Sequence, residues 1–150
     1  MKKIVGIAIC TLTLILYLAA GSVEAQTSAD QITGIWWSDD KEAKIEIFRK
    51  GSKYFGKIVY LTEPNNANGQ PLTDTENEDA NLRSRPIIGM TILSDLEYEE
   101  DNEYENGEIY DPKSGKTYSL NAEVNGKQLN LRGYVGISLI GRTTTWTRAE

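Results

Sequence analysis

The chain has 150 residues, and its 22 Asp and Glu side chains outnumber its 16 Lys and Arg, which gives a net charge of −6. Because the phosphates of nucleic acids need a basic surface, this balance argues against a nucleic-acid partner. The chain has no histidine, and this excludes the usual hydrolytic triads and imidazole metal sites.

The first 25 residues are typical of a secretory signal peptide. Lys2 and Lys3 precede an apolar stretch over residues 4–20, and a pattern of small residues ending at Ala25 follows it. We expect cleavage after Ala25, a periplasmic or secreted protein, and no integral membrane segment in the mature chain. The alternative is a retained anchor, because the apolar stretch is close to the roughly 17 residues that can span a bilayer.

Cleavage would also change the chemistry available to the chain. It removes Cys10, the single cysteine, so the mature protein can form no disulfide and has no thiol for catalysis or metal binding. It leaves 14 basic and 21 acidic side chains, a net charge of about −7. A domain of about 125 residues buries on the order of 65% of its unfolded surface, which is enough for one core.

Beyond a polar segment over residues 26–33, which we expect to be flexible, apolar and polar residues alternate as they do in half-buried strands. The alternation is most regular over residues 117–124, and Asn125-Gly126 then favours a tight hairpin turn. The pattern predicts eight strands, over residues 34–37, 43–49, 53–61, 87–93, 103–110, 117–124, 127–135 and 141–148.

Eight strands joined mostly by short turns predict an all-β fold, a single antiparallel up-and-down barrel over residues 34–150. Closing the barrel removes the exposed strand edges, and an eight-stranded barrel can hold one small ligand. The connection after the third strand is long, over residues 62–85, and contains a predicted helical turn capped by Asp79. A loop of this length can act as a lid over one mouth of the barrel.

Aromatic and basic side chains near the strands are the candidates for a ligand site, because pockets combine apolar walls with a few polar groups. The same side chains also fill the cores of small barrels, so a filled barrel is the alternative. The predicted ligand-binding set is Arg85, Tyr60, Tyr110, Tyr118, Tyr134 and Arg142.

The acidic segment over residues 74–79 is superficially similar to a calcium loop. Asp74, Glu76 and Glu78 alternate there and Asp79 follows, but the glycine of the sharp turn and the terminal glutamate are missing. No spacing of the other carboxylates brings two together for glycoside hydrolysis. The sequence therefore indicates no metal site, no cofactor and no assigned catalytic residue.

Two tryptophan motifs at the ends of the predicted barrel resemble those of lipocalins and the wider calycin group. The first strand contains Gly34-Ile35-Trp36, and the last ends in Trp146-Thr147-Arg148. The resemblance implies that a basic side chain, Arg148 or Arg142, covers Trp36 through a cation–π contact.

Several blocks in order also resemble a family of small exported bacterial proteins known as domain of unknown function 2147. The blocks are Gly56-Lys57-Ile58-Val59-Tyr60-Leu61 with Glu63-Pro64, Leu82-Arg83-Ser84-Arg85-Pro86-Ile87-Ile88-Gly89, Ile109-Tyr110-Asp111-Pro112 with Gly115-Lys116-Thr117-Tyr118, and Arg132-Gly133-Tyr134-Val135-Gly136 with Gly141-Arg142-Thr143. The resemblance implies an exported lipocalin-like domain and brings no activity or site residues. This chain has Ser119-Leu120 where a cysteine often follows in the family, so a disulfide of relatives does not carry over.

Three functions remain open at this level. The first is a binding protein that holds a small apolar or amphipathic ligand, with Arg85, Tyr110 and Arg142 orienting its polar end. The second is a filled barrel that serves as a structural or interaction module of the cell envelope. The third is an enzyme that uses Asp111, Lys116 or Glu63 with an arginine, although these residues also suit turns and surface ion pairs. The oligomeric state is left open.

Overall fold

The structure is a computed structural model, and it describes residues 28–150. The predicted signal peptide, its cleavage site and Cys10 lie outside the described residues. Eight strands form a closed barrel in which each strand pairs with its neighbours in the sequence and β8 pairs back with β1. The strands are β1 (Gly34–Trp37), β2 (Ala43–Lys50), β3 (Lys53–Leu61), β4 (Thr91–Tyr98), β5 (Glu103–Asp111), β6 (Lys116–Asn125), β7 (Gln128–Tyr134) and β8 (Gly141–Arg148).

All eight pairings are antiparallel, so the predicted up-and-down barrel is confirmed. The predicted hairpin at Asn125-Gly126 is also present, because Asn125 pairs with Gln128 and Gly126 has a positive φ of 60°. Within residues 28–150, no helix is long and apolar enough to cross a membrane.

The fourth strand differs from its prediction. It begins at Thr91 and not at residue 87, because Gly89 adopts a φ of 90° and turns the chain before the strand starts. Ile87 and Met90 are buried, so their apolar character comes from loop packing and not from a strand. Asp95, with a φ of 59°, then interrupts the alternation inside the strand.

A bulge in β3 changes which side chains face the barrel interior. Lys44 of β2 pairs with Tyr60, whereas the next residue of β2, Ile45, pairs with Ile58. Val59 is therefore the extra residue of a β-bulge, which reverses the alternation beyond it. As a result, Leu61 lines the interior and Tyr60 is 43% exposed.

One end of the barrel is closed by a 3₁₀ helix over Ser28–Ile32. Ile32 is fully buried, its backbone N–H donates to the Tyr104 hydroxyl, and its carbonyl accepts a hydrogen bond from the Trp36 indole. The Tyr104 hydroxyl in turn donates to the Ala29 carbonyl at 2.7 Å. Residues 28–32 therefore form a structured plug, which is held by the buried Ile32 side chain and by these hydrogen bonds.

Charged groups fasten the plug from outside. The Arg148 guanidinium lies 4.0 Å from the centre of the Trp36 ring and donates to the carbonyls of Thr33 and Gln31. Asp30 accepts a hydrogen bond from the Tyr54 hydroxyl at 2.9 Å. Burial, followed by this hydrogen bond, raises the pKa of Tyr54 to about 12. The Trp36 and Arg148 pair thus seals the closed end and lies away from the open one.

Candidate ligand cavity

The other end of the barrel is open, and its interior is hollow. The closed half is filled by large side chains with no exposure, including those of Trp36, Tyr54 and Tyr104. Towards the open end the interior instead holds a cavity of about 910 Å³. Its apolar wall is formed by Ile45, Ile58, Ile92, Ile109, Leu120, Leu131 and Trp146.

Two features make room for this cavity. Gly133 of β7 lines it without a side chain, and a Cβ placed there would make an ordinary van der Waals contact with Tyr118 at 3.8 Å, without a clash. The seam between β1 and β8 is also short. β8 pairs with β7 from Gly141 to Thr147, but with β1 only at Thr147 and Arg148. The cavity therefore reaches the gap between β8 and the turn that follows β1.

The rim of the cavity is polar. On one side lie Ser38, Asp39 and Asp40 of the β1–β2 turn, and on the other lie Arg142 and Thr144 of β8. The Arg142 side chain makes no ion pair or hydrogen bond with any residue of the described range 28–150. Its guanidinium is thus available to a ligand.

A lysine spans the mouth of the barrel. Lys113, in the turn between β5 and β6, forms ion pairs with Asp40 at 3.1 Å and Glu42 at 2.6 Å in the turn between β1 and β2. We call these three residues the rim strap. Burial works to raise the pKa of Asp40, but hydrogen bonds from Ser38, from the Glu42 backbone and from Lys113 outweigh it and lower the pKa to about 2.

The long loop over residues 62–90 covers one side of the mouth and contributes Leu72, Thr73 and Ile87 to the cavity wall. It contains the predicted helical turn, Ala80–Leu82 with the Asp79 side chain accepting from the Asn81 N–H, so that part of the prediction is confirmed. Two isolated bridges, Asn65 to Pro71 and Thr73 to Pro86, hold its two limbs together.

A buried carboxylate fixes this loop to the barrel. Asp74 has no exposed surface and accepts hydrogen bonds from the Tyr110 hydroxyl at 2.6 Å, the Asn77 amide at 2.8 Å and the Arg85 Nε at 2.9 Å. We call these four residues the loop clasp. Burial works to raise the pKa of Asp74, but these bonds and the Arg85 charge outweigh it and lower the pKa. Burial, and then the bond to Asp74, raises the pKa of Tyr110.

Backbone packing supports the clasp. Gly115, in the β5–β6 turn, has a φ of 71°, and a Cβ there would overlap the carbonyl of Glu76. The loop backbone therefore lies directly on this turn, and only glycine leaves room for it. The acidic segment over residues 74–79 is thus a docking element of the loop. Within residues 28–150, no group of three metal-binding side chains comes together.

The structure separates the predicted ligand-binding residues into three groups. Tyr110, Tyr118 and Arg142 line the cavity, although the Tyr110 hydroxyl is occupied by the clasp. Arg85 belongs to the clasp, with its guanidinium 5.5 Å from the Tyr110 ring centre. Tyr60 and Tyr134 lie on the outer surface and do not line the cavity.

Both outward tyrosines have outer-face partners. The Tyr60 ring packs edge-on against Trp37 at 5.8 Å, with the Lys44 ammonium 5.3 Å away. Tyr134 donates weakly to Asn121, at 3.4 Å, on the outer face of β6. Its orientation follows from strand alternation, since Leu131 and Gly133 on the same strand face inward.

The residues considered for catalysis do not converge. Asp111 lines the rim, but its carboxylate accepts from the Lys113 backbone N–H and the Ser114 hydroxyl, as a turn residue does. Glu63 lies on the rim, and Lys116 is exposed at the start of β6 outside the cavity. The clasp and the rim strap were missed as site features, because each depends on contacts between distant segments.

A known protein family matches the barrel of this chain. The family described as "Uncharacterized protein conserved in bacteria", DUF2147, matches residues 34–148. The chain belongs to this family. The match spans all eight strands, so the DUF2147 domain of this chain is the barrel itself.

A solved structure supports the same fold for this DUF2147 protein. HP1028 from the human pathogen Helicobacter pylori, described as belonging to the lipocalin family, matches with a TM-score of 0.70 and 25% sequence identity. The match covers 80% of this chain and 84% of that one. The barrel is therefore lipocalin-like. A search of curated proteins finds no match.

Proposed function

We propose that this protein binds one small amphipathic molecule in the open half of its barrel. The observation that carries the proposal is the cavity of about 910 Å³ next to a fully packed closed half. Ligand pockets commonly have volumes of about 300–1,000 Å³ and apolar walls with a few polar groups. The wall of aliphatic side chains ending at Trp146 suits an apolar body, and the polar rim suits a polar end.

Arg142 is the group that would hold the polar end. It lines the cavity, and its guanidinium has no partner within the described part of the chain. A guanidinium pairs well with carboxylate, sulfonate or phosphate oxygens through two parallel hydrogen bonds. Lys113, the other cation at the rim, is already engaged by Asp40 and Glu42. We therefore expect ligands with an anionic or hydrogen-bond-accepting end.

Binding would take place outside the cytoplasm. The pattern of residues 1–25, with two lysines, an apolar stretch and Ala25, supports export. In the periplasm or outside the cell, a carrier protects an apolar molecule from water while it crosses an aqueous space. Edman sequencing or mass measurement of the protein recovered from a periplasmic fraction tests this, and an intact chain that stays in the cytoplasm would contradict it.

Titration with 8-anilino-1-naphthalenesulfonate, a fluorescent amphipathic anion, tests the binding proposal. We expect saturable binding to the wild type and a loss of affinity of about tenfold or more in Gly133→Leu, whose side chain would occupy the cavity. Gln128→Leu, on the exposed outer face of the same strand, is the matched control and should bind as the wild type does. Equal binding by Gly133→Leu and the wild type would contradict the proposal, because this dye also binds loose apolar surfaces.

A further inference from the structure

The loop between β7 and β8, residues 135–140, presents four aliphatic side chains to solvent. Val135 is 74%, Ile137 58%, Leu139 84% and Ile140 74% exposed. The loop lies at the open end of the barrel, because it joins the ends of β7 and β8 that carry Gly133 and Arg142 of the cavity wall. Contiguous exposed apolar side chains in a soluble domain mark an interaction site.

The Arg132 side chain, on the strand before the loop, holds the loop backbone in place. The Arg132 guanidinium donates to the Ser138 carbonyl at 2.5 Å, the Leu139 carbonyl at 3.2 Å and the Thr143 hydroxyl at 3.1 Å. The Ile140 N–H donates to the Ile137 carbonyl at 3.2 Å. These hydrogen bonds satisfy some of the carbonyl groups of the loop backbone. Fewer unpaired carbonyls therefore have to leave water when the aliphatic side chains enter an apolar medium, which lowers the free-energy cost of entry.

The segment of the chain that contains this loop differs in charge from the rest of the sequence. Residues 124–149 contain no Asp or Glu and four basic side chains, in a chain whose net charge is −6. Two of the four, Arg132 and Arg142, flank the loop. Basic side chains near an anionic lipid surface are attracted to it. Aliphatic side chains between arginines therefore complement apolar acyl chains beneath anionic head groups.

The size and chemistry of the patch favour a lipid surface over a protein. A stable protein interface buries about 800 Å² on each partner, which six residues at the tip of a hairpin do not provide. Aromatic side chains dominate the energetic centres of protein interfaces, whereas the exposed apolar side chains of this loop are all aliphatic. We infer that residues 135–140 dock the barrel onto an anionic bilayer surface, with the mouth of the cavity next to the membrane.

Flotation with lipid vesicles tests this inference. We expect the full chain to associate with vesicles of phosphatidylglycerol and phosphatidylethanolamine more strongly than with vesicles of phosphatidylcholine alone. The double variant Ile137→Ser with Leu139→Ser should partition about tenfold or more weakly into the anionic vesicles. Ile35→Ser, which removes an aliphatic side chain exposed by 41% on β1, is the control and should partition as the wild type does.

The outcomes separate this inference from the proposed cavity. If the double variant loses vesicle association and still binds the fluorescent dye, docking and ligand binding are separate functions of the two sites, as we infer. The inference is overturned if the double variant floats with anionic vesicles as well as the wild type does, or if the wild type prefers neither vesicle composition. It is also overturned if sedimentation shows that the loop instead joins two copies of the chain.

Discussion

Removing the Asp74 carboxylate should loosen the loop over residues 62–90 from the barrel. In Asp74→Ala, the Tyr110 hydroxyl loses its acceptor, whereas the Asn77 amide keeps its 3.0 Å bond to that hydroxyl. Arg85, whose side chain is 38% exposed, can turn towards water. A buried polar group left without a partner costs about 1–3 kcal/mol. One such group, the Tyr110 hydroxyl, together with the lost bond from the Asn77 amide to the carboxylate, gives an expected loss of about 2–3 kcal/mol in the free energy of unfolding.

Urea unfolding followed by tryptophan fluorescence measures this loss. Asp39→Ala removes an exposed carboxylate of the rim and is the control, with an expected change within about 0.5 kcal/mol. Limited trypsin digestion gives a second readout, because a released loop exposes the bond between Arg83 and Ser84 to cleavage. A change below about 0.5 kcal/mol in Asp74→Ala, with unchanged digestion, would refute the clasp as an anchor of the loop.

Three further predictions concern the same framework. Gly115→Ala should destabilise the fold by at least about 1 kcal/mol more than Gly126→Ala, because both have positive φ but only Gly115 lies against another backbone; equal losses in urea unfolding would contradict this. The pKa of Asp74 is lowered in the folded state, so its contribution is complete above the unfolded value of about 4 and is lost as the pH falls; Asp74→Asn should flatten the acid limb of the stability curve, and an unchanged slope would oppose it. Tyr104→Phe should cost about 1–2 kcal/mol, because Ala29 and Ile32 lose their bonds to its hydroxyl; thermal melts should show no such loss for the exposed Tyr60→Phe.

The barrel was predictable because strand alternation and hairpin turns are local signals. The bounds of β1, β3 and β8 match the prediction, and the other strands except β4 differ by one residue at one or both ends. The predicted start of β4 was wrong because residues in and before this strand depart from the regular extended backbone of a strand. Gly89 turns the chain after Ile87, and Asp95 adopts a positive φ inside the strand.

The cavity was predictable only in part. Alternation alone assigns Tyr134 to the outer face, because Leu129 and Leu131 face inward, so its inclusion in the ligand-binding set ignored a signal in the sequence. Tyr60 is different: its orientation depends on the bulge at Val59, which no local pattern indicates. The clasp partners Asp74 and Tyr110 are far apart in the chain, and only the folded barrel brings them together.

A crystal structure of the wild-type protein soaked with 8-anilino-1-naphthalenesulfonate tests the binding proposal most directly. The account predicts the aromatic rings of the dye inside the barrel against Trp146, with the sulfonate at the Arg142 guanidinium. Dye found only on the loop over residues 135–140, or an interior filled by the side chains of the protein itself, would contradict it.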